Sequence, residues 1–165
     1  PVPWDQLPDF SLYMDQVLSY MDRQVIRFDE DDGLTAAMVN NYTKSGLVPR
    51  AEGKKYNRDH LAYLTAISAL KQVLSVKEMK ALTAIGRELR NSQRQYEYFC
   101  EYLDEALSET AQRLDENTSE QDLPKLVLAT ALRSYADGLV CRRLLAIMAE
   151  HSGHADLLNN GGKKK

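Results

Sequence analysis

Leu34-Thr35-Ala36-Ala37-Met38-Val39-Asn40-Asn41-Tyr42-Thr43-Lys44-Ser45-Gly46-Leu47-Val48-Pro49 carries both ends of a short helix in its own residues. Thr35 suits the N-cap, where a hydroxyl accepts an early backbone N–H, and Leu34 and Val39 have the spacing of a hydrophobic staple. Gly46 suits the left-handed residue that follows a helix, and Pro49 lies just beyond it. The pattern predicts a sharply bounded helix over 35–45.

Downstream, Arg50 to Tyr56 is polar, contains Gly53 and has no apolar period, which predicts a tight turn or a small two-stranded wing. Asn57 is the next N-cap, with Asp59 in the first turn of a helix that buries Leu61, Leu64, Ile67 and Leu74. Ser75-Val76-Lys77-Glu78 matches a capping box and starts another helix on Val76, Met79, Leu82, Ile85 and Leu89. Two long helices follow, one over about 91–114 on Tyr96, Phe99, Leu103, Leu107, Ala111 and Leu114, the other over about 123–151. The last is apolar around much of its circumference, which predicts burial on several sides or in a dimer. Upstream, Trp4 to Asp9 reads as an extended arm between prolines. Asp9 then caps a helix from Phe10 whose apolar stripe is Phe10, Tyr13, Met14, Val17, Leu18 and Met21. The acidic run Asp29 to Asp32, ending at Gly33, reads as a loop.

The segment 34–49, with Lys54-Lys55-Tyr56-Asn57-Arg58-Asp59-His60-Leu61 after it, resembles the MerR-like (mercury-resistance-regulator) pattern. There a short recognition helix ends in Tyr-x-x-x-Gly-Leu-x-Pro, a basic wing follows, and a Tyr leads into the next helix. Leu70 to Met79 is similar to that family's next turn, where Leu-Ser-x-x-Glu opens a helix. This resemblance spans about residues 34–89. The chain is also similar, over roughly 4–150, to the domain-of-unknown-function family 1836 in Trp4-Asp5-Gln6-Leu7-Pro8, Leu12 to Val17, Met38 to Tyr42 and Leu70 to Ser75. The first resemblance implies a mainly α fold, a MerR-like winged helix-turn-helix followed by long C-terminal helices. The implied layout is a DNA-binding region with an N-terminal arm over 1–89, a helical extension for dimerisation or an effector over 90–158, and a disordered tail over 159–165. Asn40-Asn41-Tyr42 departs from the family's Arg before paired tyrosines, and the acidic loop is longer than its usual turn. None of the metal-sensing cysteines is matched by Cys100 or Cys141.

Composition narrows the function. With 165 residues and 44% hydrophobic content the chain can bury a core. The net charge of −3 argues against indiscriminate coating of nucleic acid, but charge is uneven. Residues 1–32 are acidic, whereas 34–60 carry Lys44, Arg50, Lys54, Lys55 and Arg58 against Glu52 and Asp59. No apolar run approaches the roughly 18 residues of a membrane span, and Pro1-Val2-Pro3-Trp4-Asp5 lacks a signal pattern, so a cytoplasmic protein with reduced cysteines is expected. No phosphate-binding glycine loop or nucleophile–base pair is present, so no enzyme, cofactor or metal is expected. Cys141, His151 and His154 make only a weak metal pattern, and His60 reads as a surface residue at a helix start.

The partner expected is double-stranded DNA, bound by a homodimer through the helices after residue 90, since one short helix covers too few base pairs. Asn40 and Asn41 suit the adenine edge, and Ala36 allows close approach or a thymine-methyl contact, as does Ala37. Thr35, at the mouth of the helix, joins the DNA-binding residues; Thr43 and Lys44 would reach phosphate, as would Arg50, Lys54, Lys55 and Arg58, and Tyr42 or Tyr56 would donate a hydroxyl there or else serve as core residues with wet hydroxyls. An unidentified small-molecule or protein effector fits a regulator, and Tyr96, Tyr98, Phe99, Tyr102 and Tyr135 are the aromatics that would line its pocket, although a stripe at helical spacing is more often core. The alternative is a protein–protein adaptor on the same scaffold.

Overall fold

The computed structural model describes residues 1–24, 32–86, 91–113, 118–153 and Leu158. It is mainly helical, with six α-helices among the described residues: α1 (Met14–Met21), α2 (Ala36–Ser45), α3 (Arg58–Leu70), α4 (Val76–Gly86), α5 (Ser92–Ala111) and α6 (Leu123–His151). Among these residues no strand forms, only two isolated antiparallel bridges, Leu12 with Tyr56 and Glu52 with Lys55.

The helix ends follow local chemistry. Thr35 Oγ1 accepts the Met38 N–H at 3.2 Å, and Gly46 closes α2 at φ 79°. Asn57 Oδ1 accepts the His60 N–H at 3.3 Å. Glu78 Oε2 accepts the Ser75 N–H at 2.8 Å while Ser75 Oγ accepts the Glu78 N–H at 3.3 Å, the reciprocal capping box. With their ends satisfied, the helices meet through apolar faces. α3 lies between α1 and α5, and α4 packs on α2 and α6, around a core that includes Val17, Val39, Leu61, Leu64 and Met79.

Four expectations change. The first helix starts at Met14 with Tyr13 as its N-cap, not at Phe10, and Phe10 is 64% exposed. The cause is distant in sequence. Leu12 exchanges backbone hydrogen bonds with Tyr56, N–H to carbonyl at 2.8 Å in both directions, which holds Leu12 extended. The arm is not wholly extended either, because Trp4–Gln6 forms one 3-10 turn that lays Trp4 6.0 Å from the Tyr96 ring and buries Leu7. Finally, α6 packs within the chain only through its C-terminal third. Leu145 and Ala149 are buried, while Leu123, Val127, Leu128, Leu132, Tyr135, Leu139, Val140 and Leu144 are exposed. On α5, Tyr96 is buried but Leu107 and Ala111 are exposed rather than inward. Most of the acidic run at 29–32, Leu89, Leu114 and the tail 159–165 lie outside the described residues.

Candidate nucleic-acid interface

α2 buries Val39 and Tyr42 and leaves Ala37, Asn40, Asn41 and Lys44 exposed. These four stand at i, i+3, i+4 and i+7, so they form one solvent-facing row along the helix. Thr35 is exposed at the head of that helix, and Ala36 and Thr43 flank it half-buried. The Thr43 hydroxyl donates to the Val39 carbonyl at 3.0 Å. A cleft of about 480 Å³ beside the end of the helix is lined by Lys44 and Arg50 together with Thr43, Pro49, Tyr63 and Thr83.

The segment expected as a turn or wing is a two-residue turn. Glu52 and Lys55 exchange backbone hydrogen bonds at 3.2 and 2.9 Å around Gly53 (φ 57°) and Lys54 (φ 63°). Two consecutive positive φ values are what a type I′ hairpin turn requires. Strands do not extend from it, so the two-stranded form of the wing is not present among the described residues. Arg50, Lys54 and Lys55 are exposed, and the Lys55 Nζ lies 5.4 Å from the Tyr13 ring centroid.

Other expected contacts are turned inward. Tyr42 and Tyr56 are 4% and 6% exposed, so their rings are core side chains, and burial pushes the Tyr42 phenol above its ordinary pKa. Arg58 is half-buried with its guanidinium 5.8 Å from the Trp4 ring, and its Nε is buried without a hydrogen-bond partner among the described residues. The ring of Trp4 draws this cation inward.

His60 is 4% exposed, not a surface residue. Its Nδ1 accepts the Asn57 N–H at 3.1 Å, its Nε2 lies 3.3 Å from the Arg50 carbonyl, and Tyr56 meets it edge-on at 5.4 Å. Asn57 Oδ1 lies 2.5 Å from the same Nδ1, so the imidazole ties the two ends of the basic turn to the start of α3. Its position three residues after the N-cap, where a capping box places a side-chain acceptor, was the signal in the sequence.

A groove of about 540 Å³ runs between Val73 and Leu74, the end of α5 and α6, and is lined by Thr110, Arg113, Arg133, Asp137 and Cys141. The aromatics expected to line an effector pocket are not there. Tyr96 is in the core, donating its hydroxyl to the Val2 carbonyl at 2.8 Å, and Tyr98 and Tyr102 stack on each other with centroids 6.4 Å apart. Among the described residues no three His, Cys, Asp or Glu side chains gather as metal ligands, and His154 lies outside them. No described helix is long and apolar enough to cross a membrane.

No curated protein and no solved structure matches the chain. One family model, described as "Domain of unknown function (DUF1836)", does match, over residues 2–102, from the N-terminal arm through α2, the basic turn and the packed half of α5. Covering more than half of the sequence, that match makes the chain a member of the DUF1836 family.

Proposed function

We propose that this protein is a DNA-binding transcriptional regulator, a MerR-like winged helix-turn-helix whose wing is reduced to the Gly53-Lys54 turn. The observation that carries the reading is the exposed row Ala37, Asn40, Asn41 and Lys44 on a short, firmly capped helix. Paired asparagines offer a donor and an acceptor each to adenine N6 and N7, and the neighbouring alanine permits close approach to the groove. Lys44, Arg50, Lys54 and Lys55, all exposed, supply the salt-dependent grip on phosphate. Two copies would place two such helices on successive half-sites. No chemical step, cofactor or metal enters this reading, and the compartment is the cytoplasm.

A protein-interaction adaptor is the second reading. It is favoured by the Gly53-Lys54 turn, which carries no flanking strands among the described residues, and by Arg58, whose guanidinium lies 5.8 Å from the Trp4 ring. Fluorescence anisotropy on a duplex from the gene's own upstream region and on a scrambled duplex, at low and near-physiological salt, separates the two. Preference for the upstream duplex that survives the higher salt supports the regulator. Absence of binding to either duplex at low salt overturns it in favour of the adaptor.

A further inference from the structure

The bare arms of α5 and α6 are the least explained surface of the molecule. From Leu123 to Leu144, no residue of α6 is buried, and on α5 the same holds from Glu101 to Ala111. At 1.5 Å per residue the α6 arm runs about 30 Å with large apolar side chains in water. Helices gain most of their stability from covering such a face, and soluble monomers rarely leave one this large open.

Within the α6 arm, Lys125, Leu128, Leu132, Tyr135, Leu139 and Arg143 recur at steps of three and four, so an apolar row is closed at each end by a cation. The other arm has the opposite charge. α5 carries Glu97, Glu101, Asp104, Glu105 and Glu109 against Arg94, with exposed Tyr102 and Leu107 among them. The ten exposed large apolar residues of the two helices present on the order of 600 Å² of apolar surface at about 60 Å² each. That approaches the ~800 Å² that each partner brings to a standard interface.

We propose that these arms are the interface between two copies of this chain, the acidic α5 arm of one copy lying along the basic-ended apolar row of α6 of the other. Two-fold symmetry makes the contact twice and closes it as a four-helix bundle with no exposed sticky end. The pairing deepens the two-copy reading above and rests on it for its use. Opposite charge on the two arms selects α5 against α6 and disfavours α6 against α6.

The test is sedimentation of the full chain at micromolar concentration, with far-UV circular dichroism and duplex binding measured separately. The wild type sediments as a dimer, and L132E/L139E shifts it to monomer with the packed core's helical signal retained; a monomeric wild type overturns the proposal. Two charge-reversed variants, E101K/E105K and K125E/R143E, each weaken self-association at least tenfold, while an equimolar mixture restores a heterodimer. Charge reversals that leave a dimer sensitive only to L132E/L139E overturn the α5–α6 pairing. A dimer that binds no duplex would leave the interface standing and sink the DNA reading, so the two failures are distinguishable.

Discussion

Nδ1 of His60 accepts the backbone N–H of Asn57 at 3.1 Å, which joins the start of α3 to the basic turn through a buried imidazole. Replacing it leaves the Asn57 N–H and the Arg50 carbonyl without this partner and opens a cavity beside Tyr56. His60→Ala is expected to lose about 2–4 kcal/mol in urea denaturation. His60→Gln, which keeps an acceptor three residues after the N-cap, should lose clearly less. Equal losses would show that the ring's packing, not its polar contacts, matters.

The tyrosines give a direct check on the interface. Tyr56→Ala should cost about 3–5 kcal/mol, as for other large buried aromatics. Tyr56→Phe and Tyr42→Phe should leave duplex affinity unchanged, because both side chains are core residues. A drop in affinity for either Phe variant, at unchanged stability, would return that hydroxyl to the phosphate contacts.

At position 54 charge can be separated from fold. Lys54 has φ 63°, a region that asparagine enters far more readily than lysine. Lys54→Asn should therefore fold at least as stably as the wild type. If the turn grips phosphate, it weakens binding to all duplexes alike and reduces the slope of log affinity against log salt by about 1. Lys54→Val should destabilise the turn itself, visible as a lower unfolding midpoint.

Glu78 gives the pH dependence. The Ser75 N–H first, then the Ser75 hydroxyl and the Arg142 guanidinium at 3.1 Å, hold its carboxyl below its ordinary pKa against the opposing effect of burial. A depressed folded-state pKa favours the folded protein above the unfolded value of about 4.3, and that contribution fades as the pH falls through the folded-state value. The stability gap between wild type and Glu78→Gln should be widest near neutral pH and shrink below pH of about 4. A gap independent of pH would mean that the carboxylate charge contributes nothing there.

Cap residues next to an apolar period determined both ends of α2 and the starts of α3 and α4 from the sequence alone. Thr35, Gly46, Asn57 and the Ser75/Glu78 pair act on backbone groups within four residues of themselves, so their effect is local and readable in order. The alternation of exposed and buried positions along α2 was legible for the same reason, and with it Asn40, Asn41 and Lys44 as candidate contacts. Only the tertiary structure decided the rest. Leu12 could have continued a helix from Phe10, but a backbone partner at Tyr56 keeps it extended. Arg58 carries the same charge as Lys54, yet the N-terminal turn brings Trp4 against it and draws it inward. The apolar residues of α6 predicted burial on several sides or in a dimer, and within one chain only Leu145 and Ala149 of that helix are buried among the described residues. Each of these outcomes depends on which distant surface arrives alongside, and hydropathy records how much a side chain gains from cover, not where the cover is.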